Sequence, residues 1–151
     1  MKKYFLDLFE YNNWANDKVI NRLHQVNCQF TDQDPFRIFS HIISSQETWL
    51  ERVKRTKSYN IFLWDVFSIQ ELELLSMKNY KEWIKFISKL EESKLNTICS
   101  YKNLESKPQE RTLQDIFQHV VNHSTYHRGQ INQIFRMNDI EPVAVDFIYY
   151  C

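Results

Sequence analysis

Glycine is almost missing from this chain: one in 151 residues, accompanied by three prolines. So few turn formers argue against a hairpin-rich architecture and predict long helices. Net charge is missing too, because 19 basic residues cancel 19 acidic ones. That balance removes the usual electrostatic warrant for nucleic-acid binding, and no nucleic-acid partner is expected. Cys28, Cys99 and Cys151 are odd in number, widely spaced and free of any CxxC pattern. Such usage predicts a reduced, cytoplasmic protein. No run approaches the roughly 18 apolar residues that mark a membrane span, so no membrane partner is expected. The opening MKKYFLDLFEYNNW is broken by Asp7, Glu10 and further polar residues, which the apolar core of a signal peptide does not tolerate.

Aromatic residues are plentiful instead, with 11 Phe, 8 Tyr and 4 Trp. They predict a bulky aromatic core or a large apolar interface. One domain covering residues 1–151 is expected, long enough to bury a core without disulfide or metal staples.

Three of the five histidines fall between Thr112 and Met137. His119, His123 and His127 are spaced by four, so on a helix each stacks one turn above the last. Leu113, Ile116, Phe117, Val120, Val121, Ile131, Ile134 and Phe135 give the same stretch a buried helical stripe. At about 100° per residue, His127 falls nearest the stripe's edge, His123 slightly further out and His119 nearer solvent. Imidazoles one turn apart can share a metal ion at Zn–N distances of about 2.0–2.1 Å. His119 and His127, about 12 Å apart, cannot. The usable pair is 119/123 or 123/127. The stripe favours the second, because a ligand pair should face a cleft between helices.

Elsewhere the chain reads as helices joined by polar segments. Phe5, Leu8, Phe9, Ala15, Val19, Leu23 and Val26 predict one helix from Lys3 to about Val26, closing near Asn27. His24, beside that stripe near its end, reads as a surface or helix-terminal residue. Asp34 can cap a second helix whose first position is Pro35. It should run to about Val53 and bury Phe39, Ile42, Gln46, Trp49, Leu50 and Val53. His41 lies off the stripe's centre, on the flank of Ser45 and Arg52. By itself it reads as a hydrogen-bonded boundary residue. Lys54–Phe67 reads as a connector that drops its aromatics onto the bundle. Ser68 and Glu71 form a capping box that opens a helical segment. Tyr80, Trp83, Ile84, Ile87, Leu90 and Ile98 give a third long stripe ending near Cys99. Periodicity leaves open whether one helix covers both. SYKNLESKPQER reads as a loop or short hairpin. Thr112 and Asp115 form an acidic capping box for the histidine helix, which Asn138-Asp139 and Pro142 close. The tail VAVDFIYYC should dock. Together these predict an all-α fold, a four-helix bundle.

Several further residues have plain structural readings. Close helix approach would account for Gly129, and an ion pair or interface for Arg128. Tyr126 and the four Trp read as core, with room for one Trp at a metal pocket. His119 reads as an outer-face residue.

Tyr11-Asn12-Asn13-Trp14-Ala15-Asn16, the His41 helix ending in Trp49-Leu50, and HVVNHSTYHRGQI from His119 to Ile131 together resemble the DinB family of DinB/YfiT-like metalloenzymes. The resemblance reaches the tail through Asp146-Phe147 and so spans nearly the whole chain. It implies a four-helix bundle of up-down-down-up connectivity, usually a homodimer. It also implies a divalent metal held by one histidine of helix 2 and two of the last long helix, which are His41, His123 and His127 here. Characterised members include S-transferases and isomerases that use a low-molecular-weight thiol as co-substrate. If helices 2 and 4 are neighbours, His41 completes a facial set of three nitrogens.

Three neutral imidazoles leave a metal with open positions, as in catalytic rather than structural sites. Such a donor set suits zinc or nickel, and iron and copper as well. No carboxylate occupies a helical neighbour position of His123 or His127, and Asp65 in the connector is a candidate acid or base. Two functions follow. The chain is a metal-dependent S-transferase, isomerase or hydrolase acting on a small-molecule substrate, or a non-catalytic dimeric metal-binding protein for stability or sensing. A pocket with an open coordination position would favour the first, and a buried, saturated ion the second.

Overall fold

A computed structural model of the chain describes residues 1–26, 30, 34–56, 63–103 and 105–151. It is mostly helical, with four long helices: α1 (Lys2–Gln25), α2 (Pro35–Lys54), α3 (Ile69–Lys89) and α4 (Leu113–Met137). Local chemistry sets their starts. The Asp34 carboxylate accepts from the Phe36 amide at 2.9 Å with Pro35 in the first turn, and Ser68/Glu71 and Thr112/Asp115 both close reciprocal capping boxes. Each cap satisfies amides that a helix start leaves unpaired, and is worth about 1 kcal/mol. α1 ends at Gln25, and Asn27 lies outside the described residues.

α3 is one continuous helix, but it stops at Lys89 and does not reach Cys99. Between Leu90 and Ile98 only Leu95 is apolar, so no stripe holds a helix to the core there. The chain instead makes a 3-10 turn at Glu92–Asn96 and enters an antiparallel hairpin, β1 (Ile98–Lys102) and β2 (Pro108–Thr112). Ile98 pairs with Thr112 and Lys102 with Pro108. The Asn103 side chain accepts the amides of Glu105 and Lys107 at 3.0 and 2.9 Å, which tightens the turn. The segment SYKNLESKPQER is therefore a short hairpin, and it hands the chain directly to the cap of α4.

α1 packs chiefly on α3, and α2 on α4. One core cluster is aromatic. The Phe117 ring meets Phe5, Phe9, Trp83 and Phe86 edge-on, with centroids 5.3 to 6.3 Å apart. The other is aliphatic around Val19, Leu23, Ile42, Ile43, Leu72 and Ile131, with Phe39 and Phe135. The tail docks as expected. Tyr11 Oη donates to the Val145 carbonyl at 2.9 Å, and the Asn132 amide pairs with both backbone groups of Val143.

Two residues of α4 differ from their sequence reading. Arg128 is neither a surface ion-pair residue nor an interface residue, because it is fully buried. Its guanidinium donates to Asn12 Oδ1 at 2.7 Å, Asn16 Oδ1 at 2.8 Å and Thr125 Oγ1 at 2.9 Å, and faces the Tyr11 ring. Polar partners one turn apart on α1 supply what water would, so an arginine can sit on the inner face. Gly129 is not explained by close helix approach, since a Cβ there would meet nothing within 4 Å. No helix among the described residues is long and apolar enough to cross a membrane.

Two substitutions test this packing by urea denaturation. Phe117→Ala should cost about 3–5 kcal/mol through the cavity it leaves among four rings. Asn12→Ala should cost about 2 kcal/mol, because it strips an acceptor from a buried charge.

Candidate metal centre

The site forms where α2 and α4 meet. Gln46 Nε2 donates to Ser124 Oγ at 3.0 Å across that contact, and Ser124 returns its own proton to the Val120 carbonyl. Both residues are buried, which sets the depth and roll of one helix on the other. His41 comes to the contact from α2. His123 and His127 lie one turn apart on α4, beside the buried pair Ser124 and Arg128. Ring centroids stand 5.1 Å apart for His41 and His123, 4.8 Å for His41 and His127, and 4.4 Å for His123 and His127. One nitrogen of each lies within 4.8 Å of the other two, so the three could hold a metal ion.

Hydrogen bonds fix the tautomers that such a role needs. His41 Nδ1 lies 2.8 Å from the Leu63 carbonyl, which can only accept, so Nδ1 carries the proton and Nε2 a lone pair. His127 Nδ1 lies 2.6 Å from Gln130 Oε1, and Gln130 Nε2 donates onward to Tyr126 Oη. His127 Nε2 is thereby also left as a lone pair. It faces His123 Nε2 at 3.2 Å. With a lone pair on His127 Nε2, the contact is a hydrogen bond when His123 carries its proton on Nε2, and a cation in that proton's place would meet both nitrogens. Carbonyl-type acceptors behind the ligand nitrogens are the usual outer support of metal-bound histidine. The donor set therefore fits a divalent ion.

The electrostatics agree. Burial first, then the neighbouring His127, His41 and His119, push the His123 pKa down to about 3. Burial also lowers the His127 pKa, against the opposing effect of the hydrogen bond it donates to Gln130. His123 is neutral at pH 7, the charge state in which an imidazole binds a metal.

The triad opens into a pocket of about 400 Å³. Its walls come from three places: Ser45, Thr48, Trp49 and Arg52 of α2, Leu63 and Trp64 before α3, and Tyr101 and Asn103 of the hairpin. Trp64 lies flat on His41, 4.0 Å between centroids and 8° from parallel. No carboxylate lines the pocket among the described residues. Asp65 is exposed and is not part of it.

The other sequence readings sort as follows. His24 is exposed and faces Glu73, 3.7 Å away. His119 is exposed, as expected of an outer-face residue, and the sequence reading missed only its second role. It lines the pocket, with its ring edge-on to Trp49 at 5.0 Å. Only Trp83 of the four tryptophans is fully buried, two others line the pocket, and Tyr126 is exposed. Ser45, Thr48, Trp49 and Arg52 follow His41 at four, seven, eight and eleven residues. Extending the His41 flank along α2 would have found them. Tyr101 and Asn103 carry no such signal, because strand pairing brings them there.

Residues 35–131 match the DinB superfamily, and the chain belongs to it. Along its length it is similar to Protein DinB of Bacillus subtilis (strain 168), 28% identical over 165 residues that cover 99% of this chain and 95% of the relative. Its fold is similar to the crystal structure of a DinB-like protein from Bacillus cereus ATCC 10987, with a TM-score of 0.73 at 17% identity over 94% of this chain and 95% of that one.

Long-range ¹H–¹⁵N spectra of metal-free protein at neutral pH should report His41 and His127 as Nδ1–H tautomers. An Nε2–H tautomer at either ring would contradict the site as described.

Proposed function

We propose that the chain is a divalent-metal-dependent enzyme acting on a small molecule, with His41, His123 and His127 as the metal ligands. The observation that carries this reading is that three imidazole nitrogens converge at a roomy pocket. A structural ion would be enclosed by protein groups on all sides. Zinc or nickel suits the donor set first, and iron as well. When bound, such an ion lowers the pKa of a thiol or water and so supplies a nucleophile near neutral pH.

The remaining roles belong to the chain's own residues. Leu63 and Gln130 hold two of the rings with lone pairs turned inward, and Trp64 covers one face of His41. With no carboxylate among the described residues of the pocket, a nucleophile that arrives as a thiol suits the site, since a thiol gives up its proton far more readily than water. Transfer or isomerisation through a low-molecular-weight thiol is accordingly the favoured reaction, with hydrolysis second.

The test begins with metal content in the five single His→Ala variants, purified without an affinity tag made of histidine. His41→Ala, His123→Ala and His127→Ala should each lower occupancy sharply, while His24→Ala and His119→Ala keep it near the parent. Loss in His119→Ala with retention in His127→Ala would mean that the wrong pair has been assigned. The parent protein should then conjugate a low-molecular-weight thiol to an electrophile only when loaded. Full occupancy with no turnover of any thiol or ester would favour a sensing or stabilising ion instead.

A further inference from the structure

We propose, resting on the metal-dependent reading above, that the pocket takes a small organic anion whose reacting end meets the triad and whose carboxylate is held by Arg52. Arg52 lies eleven residues after His41 on the same flank of α2, a rise of about 16 Å along the helix axis. Its guanidinium carbon stands 4.5 Å from the Trp49 ring centre and 4.9 Å from that of Tyr101. One Nη2 proton goes to the Lys102 carbonyl at 3.1 Å. A guanidinium carries five N–H donors, so most of its fork is left over. No carboxylate among the described residues lies within ion-pair distance of it.

This is not how an arginine that serves only as packing is placed. Such a residue lays its stem on apolar surface and puts its head in water. Here the head itself lies against two rings that meet edge-on, and the N–H groups it does not spend on Lys102 stay available for the paired oxygens of a carboxylate. The rest of the pocket has the matching bias. It presents no acid among the described residues, and a loaded triad puts positive charge at its other end. Anions are drawn in and cations repelled. Between the two ends, Leu63, Trp49 and Trp64 offer an apolar wall to the body of the ligand.

The experiment uses zinc-loaded full-length protein and a graded series of ω-mercaptoalkanoates, each compared by calorimetry with the mercaptoalkanol of equal chain length. Zinc content is measured first. At the best chain length the carboxylate should bind about ten- to a hundredfold tighter than the alcohol, the range of a hydrogen bond to a charged group. Arg52→Gln should bring that ratio to about one, and Arg52→Lys should restore part of it. Equal binding of acid and alcohol, or an unchanged ratio in Arg52→Gln, would overturn the anion site and leave the metal reading standing. Failure to take up zinc would overturn both.

Discussion

The buried guanidinium of Arg128 is the constraint on which the site depends. A charge that cannot be shed and cannot reach water must find acceptors, and the acceptors it finds are Asn12 and Asn16 on α1. That requirement fixes the roll of α4 about its own axis. Ser124, one turn earlier, meets Gln46 of α2. With 124 and 128 turned inward, the residues just before them, 123 and 127, are swung about 100° to one side. They then border the seam with α2 instead of filling the core. The histidine triad is thus set by residues outside it, and Arg128, next to His127 in the chain, orients it.

Much of this was legible in the sequence. The i, i+4 histidines, the stripe beside them and the capping residues Asp34, Ser68 and Thr112 all act within a turn or two, where periodicity is a direct readout of geometry. His41 was different. Its own helix gives it only a boundary position, and the family resemblance was needed to bring it to the other two. Arg128 reads as an ion-pair or interface residue because the acceptors that hold it inside stand 112 and 116 residues away in the chain, beyond the reach of helical spacing. The end of α3 was misplaced for a related reason: Ile98 fits the phase of a helical stripe and is used in a strand. Gly129 keeps no packing explanation.

The pocket shows what short-range reasoning cannot supply. One wall runs along α2 and could be followed from His41 by helical spacing. A second, Tyr101 and Asn103, exists only because the hairpin register carries β1 over the end of α2. The tryptophans divide along the same line. Trp83 follows its stripe into the core, Trp49 sits at an edge where its ring serves core and pocket together, and Trp64 is half exposed and stacks on His41.

The hydrogen bond from His41 Nδ1 to the Leu63 carbonyl has a thermodynamic corollary. The segment at Leu63 and Trp64 lies against α2 partly through this bond and the stacked indole, and the same bond leaves Nε2 free to ligate. With an ion bound as proposed, docking of that segment and uptake of the ion would be linked equilibria that share one coupling free energy. Whatever strengthens one strengthens the other by the same factor. Leu63 and Trp64 would then be an energetic part of the proposed metal site without being ligands themselves.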